Sequence, residues 1–386
     1  DSSSFKLNKE SGEIRGTVKD GWNVLNFESN VPNYKYSPHF WGGWVGFIGY
    51  EAGNAFENLP KRKPNELELA DVYFMQVDRL IVYDHNLNIL KYIIAAEPSS
   101  KKSKYDEYKL EIQEMWEKIE LILSKDSIKN PVKKKYKATH LNTSNFQSNL
   151  SQDNYRKIVI RAKTYISDGD IYQVNLSQRF KTNFNGDPLS LYLKLREVSP
   201  APFSGFLKFS EFSIISSSPE RLLKIKDDKL ETRPIAGTRP RGSDKKKDSA
   251  LTTELLLSEK ERAEHLMLVD LERNDMGRVC QSGSVKVTEL MCLEKYSHVS
   301  HIVSNIEGEL KKDITIYDLL KSLFPGGTIT GCPKIRCMEI INELEPSGRG
   351  LYSGSFGYIG FSRQLDLNIL IRTIFVKNGE ASFHVG

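Results

Sequence analysis

The chain has 386 residues, enough for one large domain or two intimately packed ones with a substantial core. Hydrophobic residues at 39% and charged residues at 27% lie near the globular average, and no apolar run approaches the ~18 residues of a membrane span, so the composition fits a soluble protein. The net charge of +5 comes with lysine runs at 101–102, 133–135 and 245–247 in polar contexts, without the aromatic interleaving of a nucleic-acid binder, and suits a small acidic ligand better.

The opening stretch, "DSSSFKLNKESGEIRG", has neither the basic start, the apolar stretch nor the cleavage site of a secretory signal, although a chain beginning with Asp1 is open to having lost its true start. A cytoplasmic location is expected. Cys280, Cys292, Cys332 and Cys337 have no CxxC spacing, so reduced thiols and no zinc site are expected.

Residues 40–99 alternate turn signals such as "WGGWVGFIGY" with β-rich runs, and "RLIVYDHNLNILKYIIAA" reads as a hairpin around 86–88. Apolar residues recur at helical spacing over 104–123, and the polar, Lys-rich stretch 125–150 reads as a connection. This sets a mainly-β part over 1–145 against a second part over 146–386. The stretch "SQDNYRKIVIRAKTYISDGD" predicts a helix capped by Ser151 or Asp153 and ended by Gly169, with a strand, "IYQVNLSQRF", after it. Beyond it strands and helices mix without regular βαβ alternation or a fixed repeat. Antiparallel pairing is expected within "FSIISSSPERLLKIKDDKLETRPIAG" and within "LNILIRTIFVKNGEASFHVG", the second turning at Asn378 and Gly379. The fold class is α+β, built on a large antiparallel sheet with helices against it.

Several side chains are candidates for chemistry. A hairpin turn centred on Asp228 pairs residues whose numbers sum to about 456, which sets Glu220 opposite Ala236 on one face; the alternative is a surface pair of Glu220 with Arg221 or Lys224. A helix opening at Ser258 puts Glu261 and Glu264 at i and i+3, as Mg²⁺ ligands or as a solvated acidic first turn. His298 and His301 lack a third metal ligand, and one catalytic with one structural histidine is the preferred reading. "LFPGGTITGCPKIRCMEIINELEP" is a Gly-rich loop feeding a helix with Pro333 at its first position and Pro346 at its end; Cys332 and Pro333 stand where a P-loop needs Lys and Ser or Thr, so nucleotide binding is rejected. Arg372 interrupts the apolar strand "LNILIRTIFV", where a carboxylate partner from protein or ligand is expected.

The segments "GDIYQVNLSQRF", "SSSPERLL", "RPIAGTRPRG", "KERAEHLMLVDLERNDMGRV", "YSHVSHIVSNIEGEL", "FPGGTITGCPKIR", "GRGLYSGSFGYIGF" and "LDLNILIRT" resemble, in order over about 170–386, the chorismate-utilising enzymes. The resemblance is to the large subunit shared by anthranilate synthase and aminodeoxychorismate synthase, and "GGWVGFIGYEAG" with "VDRLIVYDH" extends it toward the N-terminus. It implies a two-part fold with the active site between large antiparallel sheets. It also implies Mg²⁺ on Glu264, supported by Glu261, bridging to the ring carboxylate of chorismate. Arg372, Tyr352 and the backbone near Gly386 would hold the enolpyruvyl carboxylate, Thr328 would touch the ring carboxylate, and Lys334 would join in substrate binding. Glu220 would be the general acid at the departing C4 hydroxyl, with His301 beside the ring.

Members that add water carry a general-base lysine where this chain has Gln173, so the resemblance implies amination, with ammonia from a separate glutamine amidotransferase. Many aminodeoxychorismate synthases have a nucleophilic lysine at position 236, whereas anthranilate synthases have alanine. A subset of aminodeoxychorismate synthases carries "PIAGT", as here, and this chain also resembles that subset in "DLERND", "GCPKIRCMEII", "LDLNILIRT" and "GYEAG". Aminodeoxychorismate is therefore the expected product, anthranilate the alternative, and a catalytically silent relative the third reading. The family's Gly-rich segment with a further Mg²⁺-binding glutamate would follow "FHVG", and its N-terminal tryptophan-feedback segment is expected to be absent or shortened.

Overall fold

The computed structural model describes residues 4–9, 12–17, 21–22, 25, 38–61, 63–64, 66–96, 102–124 and 146–386. Of the expected connection, residues 125–145 lie outside that set, as do lysines 101 and 133–135.

Local signals set the elements where they were expected. The hairpin Arg79–Asp84 with Ile89–Ile94 closes over 85–88, with Asn88 at φ 55°. The helix Lys102–Ser124 covers the periodic stretch. Ser151 caps the helix Gln152–Ser167 by accepting from the Asn154 N–H, and Gly169 leaves it at φ 84°. Thr373–Lys377 and Glu380–Val385 turn at Asn378 and Gly379, both left-handed, as a two-residue hairpin requires.

Two large sheets follow. An eleven-stranded sheet runs from Ile235–Pro240 through Val299–Glu309, Lys229–Arg233, Arg221–Lys226, Leu365–Asn368, Ser355–Gly360, Gly43–Ile48 and Val72–Val77 to Ser4–Lys9 and Gly12–Thr17. Lys286–Lys295 lies along the other edge of Val299–Glu309, and Ser4–Lys9 pairs in parallel with Val72–Val77. Strands from both sides of residue 146 therefore share one ladder. A six-stranded antiparallel sheet orders Phe203–Lys208, Phe212–Ser218, Thr373–Lys377, Glu380–Val385, Gln178–Asn183 and Gln147–Ser148. The class is α+β, as the pattern predicted.

The period-2 alternation of the strands decides how these layers pack. Val72 and Phe74 join a core with the helices Glu259–Val279 and Ile316–Leu323, while Tyr73 and Phe47 turn to the opposite face. There they meet Phe212, Ile214 and Phe375 of the six-stranded sheet, with Phe209 stacked on Phe212 at 4.5 Å. The outer face of that second sheet is covered by the helix Pro188–Val198.

Three expectations are corrected. The turn after Arg221–Lys226 spans Asp227 and Asp228, at φ 51° and 61°, so paired numbers sum to 455 beside it, as in Ile225 with Leu230, and an irregularity between Arg221 and Lys224 brings the sum to 454 at Arg221 with Arg233. Next to Glu220 the register is thus two residues from the expected one, which removes the facing of Glu220 and Ala236. Ala236 instead pairs with Ile302, because Pro234 lacks an N–H and the strand resumes beyond it along Val299–Glu309. The expected strand "IYQVNLSQRF" is broken: Gln173–Val174 pairs with Gly331–Cys332, and Gln178–Asn183 enters the six-stranded sheet. Between them the Asn175 N–H goes to the Thr330 carbonyl and the Ser177 N–H to Glu345. Pro333 is the cap before the helix Lys334–Leu344 rather than its first residue.

The break at 175–177 is made by Arg349, which is 1% exposed. Its guanidinium donates to both oxygens of Glu345 (3.0 and 2.7 Å), to the Asn175 carbonyl (2.5 Å), to the Ile329 carbonyl (3.3 Å) and to the Ser353 hydroxyl (2.9 Å). It lies over the rings of Tyr50 and Tyr352, 4.9 and 5.5 Å from their centroids. Replacing it by Met leaves the Glu345 carboxylate buried without its cation, a change that costs about 3–5 kcal/mol. Arg349→Met is expected to lower the urea midpoint accordingly; an unchanged midpoint would show that the ion pair contributes nothing net.

Candidate active site

Two chain segments cross between the sheets side by side. Residues 219–220 lead from Phe212–Ser218 to Arg221–Lys226, and 369–372 lead from Leu365–Asn368 to Thr373–Lys377. They are tied together: the Ile369 N–H donates to the Glu220 carbonyl (3.0 Å), the Ser217 N–H to the Arg372 carbonyl (3.1 Å) and the Ser218 hydroxyl to the Ile369 carbonyl (2.6 Å).

Glu220 is 5% exposed, and its Oε1 accepts the Ile235 N–H at 3.2 Å. Although the hairpin register misses Ala236, the carboxylate thus reaches the residue beside it. Burial pushes this carboxyl up to about 7, against the opposing pulls of Thr328, the Ile235 N–H and the Arg372 charge. The Thr328 hydroxyl is itself buried and, among the described residues, meets no group in a well-formed hydrogen bond.

Arg372 is not within a strand. It stands in the crossing at φ 49°, a left-handed conformation that is costly for a long side chain, and its side chain is exposed. Among the described residues no carboxylate lies within salt-bridge distance of it; its Nη2 is 3.4 Å from His301 Nε2. Arginine only donates, so Nε2 is the acceptor and the His301 proton sits on Nδ1, 2.9 Å from Thr238 Oγ1. Burial, then the Arg372 charge, brings His301 down to about 4, which keeps it neutral. Tyr296 meets the ring edge-on at 5.6 Å. His298 is exposed and lies before the strand, so it is neither a metal partner of His301 nor a core histidine.

Thr238 reaches His301 because of a bulge. The register passes from Ala236 opposite Ile302 to Thr238 opposite His301, and Gly237 absorbs the extra residue at φ 74°. A Cβ there would lie 3.0 Å from Leu255 Cδ1 and 3.1 Å from Glu261 Oε2.

The expected carboxylate pair sits on a helix capped by Ser258, whose hydroxyl accepts the Glu261 N–H. Glu261 is drawn into an ion pair with Arg239 at 3.2 Å, while Glu264 Oε1 accepts from Gln173 Nε2 at 2.8 Å. Gln173 Oε1 is buried and has no hydrogen-bond partner among the described residues. Among the described residues no cluster of three or more His, Cys, Asp or Glu side chains is poised around a metal position.

Tyr352 stacks on His384 at 5.2 Å, and its hydroxyl is 3.5 Å from Asn175 Oδ1. Gly386 comes so close that a Cβ would lie 2.8 Å from the Tyr352 oxygen and 2.7 Å from Asn175 Oδ1, which no side chain tolerates. Lys334 is engaged by protein groups: Asp275 Oδ2 at 2.5 Å and the carbonyls of Ser322 and Leu323 at 3.3 and 3.2 Å.

Glu220, Thr328, His301, Arg372 and the Ala236–Gly237 bulge thus converge, Gln173 joins Glu264, and Tyr352 joins Gly386, while Lys334 faces Asp275. An open cleft of ≈ 290 Å³ lined by Pro219, Ile235, Tyr296 and Val303 and by the charged Arg221, Arg233, Glu231 and Glu294 lies beside this stretch, with none of Glu220, Thr328, His301 or Arg372 among its lining residues. Thr238, Tyr296, Glu272 and Arg349 were not singled out by sequence. A helical wheel would have found Glu272, which shares the buried side of its helix with Leu268, Val269, Met276 and Val279.

Comparison with known proteins gives the family. The family model described as chorismate binding enzyme matches residues 4–386. Aminodeoxychorismate synthase component 1 of Bacillus subtilis (strain 168) is 44% identical over 350 residues, covering 90% of this chain and 72% of that protein. Anthranilate synthase component 1 of Acetivibrio thermocellus is 42% identical over 367 residues, covering 93% and 72%. Among solved structures, anthranilate synthase component I from Streptococcus pneumoniae TIGR4 superposes with a TM-score of 0.82 at 31% identity, covering 99% of this chain and 84% of that one. With matches that run along nearly all of its length, the chain belongs to the chorismate-binding enzymes.

Proposed function

We propose that this protein aminates chorismate with ammonia to give 4-amino-4-deoxychorismate. The observation that carries the amination is Gln173, whose amide donates to Glu264. An amide cannot deprotonate water, whereas neutral ammonia attacks carbon without a base. In the first step ammonia adds at C2, the ring double bond shifts, and the C4 hydroxyl leaves as water with the Glu220 proton. A carboxyl raised to about 7 still holds that proton near neutrality, as a general acid must. Displacement of the C2 amine by a second ammonia at C4 gives aminodeoxychorismate; loss of pyruvate after the first step gives anthranilate.

Arg372, a cation with no carboxylate within salt-bridge distance among the described residues, is the group for the enolpyruvyl carboxylate, assisted by Tyr352 and the Gly386 backbone. Thr328, with an unpartnered hydroxyl, is suited to the ring carboxylate. Lys334 acts through Asp275 rather than on the substrate. Mg²⁺ uses one or two carboxylates and completes its shell with water and substrate oxygens. Glu264 and the free Gln173 oxygen fit that demand, with Glu261 holding Arg239 alongside. When bound, the ion supplies charge neutralisation at the ring carboxylate. Ammonia comes from a glutamine amidotransferase subunit, consistent with the "component 1" names of both relatives. The second reading, anthranilate formation, is favoured by Ala236 taken alone.

Incubation with chorismate, Mg²⁺ and ammonium at high pH is expected to yield aminodeoxychorismate, read as p-aminobenzoate after addition of the lyase. Fluorescent anthranilate would overturn the product assignment, and unconsumed chorismate would overturn the amination. Glu220→Gln should lower turnover by about 10²–10⁴-fold, the contribution of a general acid, with an unchanged circular dichroism spectrum. Retained turnover would remove Glu220 from its role.

A further inference from the structure

The extended stretch 173–175 presents two amide side chains on one side. Gln173 and Val174 pair with Cys332 and Gly331, and the Asn175 N–H continues the ladder to the Thr330 carbonyl at 3.0 Å. Side chains two residues apart on an extended backbone share a face and are spaced by about 7 Å. The first, Gln173, donates to Glu264. The second, Asn175, faces Tyr352, with its Oδ1 3.5 Å from the phenol oxygen.

The backbone of Asn175 is fixed on both sides, since its carbonyl accepts from Arg349 Nη2 at 2.5 Å while its N–H goes to Thr330. Its side chain is left slack. A good O–H···O bond measures about 2.7–2.8 Å, so the contact with Tyr352 stands at the outer limit. Among the described residues Asn175 Nδ2 makes no hydrogen bond. Gly386 closes the third side: a Cβ there would lie 2.7 Å from Asn175 Oδ1, 2.8 Å from the Tyr352 oxygen and 2.7 Å from the Leu176 carbonyl oxygen. A phenol, an amide and a bare stretch of backbone thus meet at one point without satisfying one another.

The surroundings suit an anion at that point. Burial, opposed by the Arg349 charge, pushes the Tyr352 phenol up to about 12, so it keeps a proton to donate. His384, stacked on Tyr352, is brought down to about 3 by burial and then by the Arg179 and Arg349 charges, so it is neutral. The carboxylate whose charge also reaches Tyr352, Glu345, is already bound by the Arg349 guanidinium and the Ser177 N–H. An amide can turn its NH₂ inward, and Asn175 and Tyr352 then offer two donors to one carboxylate.

We propose that Asn175 is a further substrate-binding residue, its side-chain amide donating to the carboxylate on the C3 ether of chorismate beside Tyr352 and Gly386. The inference rests on the reading that places the enolpyruvyl carboxylate at Arg372 and Tyr352, and is independent of the nucleophile. The stretch 173–175 then spans the substrate, with Gln173 at the ring-carboxylate end and Asn175 at the ether end.

The test compares two inhibitors of chorismate consumption: a benzoate carrying a carboxymethyl ether at its meta position, and its methyl-ether counterpart, which lacks the second carboxylate. Asn175→Ala is expected to weaken the dicarboxylate about tenfold, the loss of one hydrogen bond to a charged group, and to leave the monocarboxylate unchanged. Equal weakening of both, as from a displaced segment, or weakening of neither would overturn the proposal. Asn175→Asp keeps the shape and replaces the donor by an anion, so it should weaken the dicarboxylate more than alanine does, and native affinity in this variant would also overturn it. Tyr352→Phe separates the inference from the reading beneath it. If phenylalanine alone weakens the dicarboxylate, only Asn175 loses its role; if neither variant does, the carboxylate is not held here and both fall.

Discussion

A single buried guanidinium holds the frame of this molecule. Arg349 closes five hydrogen bonds onto the helix end at Glu345, the broken strand at Asn175, the loop at Ile329 and the turn at Ser353. Glu51, from the N-terminal part of the chain, accepts the backbone N–H groups of Arg349 and Gly350 at 2.6 and 2.9 Å. Its own carboxyl is pushed up to about 7 by burial. A buried ion pair adds little stability over a well-packed apolar cluster, so its value lies in uniqueness of arrangement. Here the arrangement fixes the segments that carry Gln173, Thr328 and Tyr352 relative to one another, a task that packing of smooth apolar faces performs poorly.

The frame leaves the site electrostatically incomplete. Burial raises the Glu220 carboxyl and keeps His301 neutral, and among the described residues no carboxylate lies within salt-bridge distance of Arg372. A site that raises its buried acid and presents an exposed cation is complementary to an anion, and the Thr328 hydroxyl, without a well-formed hydrogen bond among the described residues, adds a donor. The left-handed backbone at Arg372 belongs to the same design, since it turns the side chain out of the sheet toward His301.

What the sequence disclosed and what it withheld divide along range. Caps at Ser151 and Ser258, the glycine exit at Gly169 and the turn at Asn378 and Gly379 depend on a few neighbouring residues, and all were legible. The relation of Glu220 to Ala236 hinged on register, which the turn at Asp227 and Asp228 and the irregularity between Arg221 and Lys224 together moved by two residues. The breaks at 175–177 and 369–372 were invisible because the groups that capture the backbone there, Glu345 and Arg349 for the first and Ser217 and Glu220 for the second, are distant in sequence. The motifs that gave the family resemblance located Glu264, Glu220 and Arg372, but did not say that Glu261 pairs with Arg239 or Lys334 with Asp275.

Position 236 looks different once the bulge beside it is known. Alanine followed by a left-handed glycine keeps this edge of the strand thin, and the bulge spends the freedom so gained on turning Thr238 toward His301. A lysine at 236 would bring its own amine to the substrate; with alanine, the same space is open to a free amine. Ammonia can then make the first attack that a lysine would otherwise make, and a second ammonia can complete the exchange at C4. On that view the alanine does not by itself choose the product. The choice falls to whatever decides between loss of pyruvate and a second attack after C2 has been aminated, and so to how long the proton-holding groups around the ring keep that intermediate from eliminating.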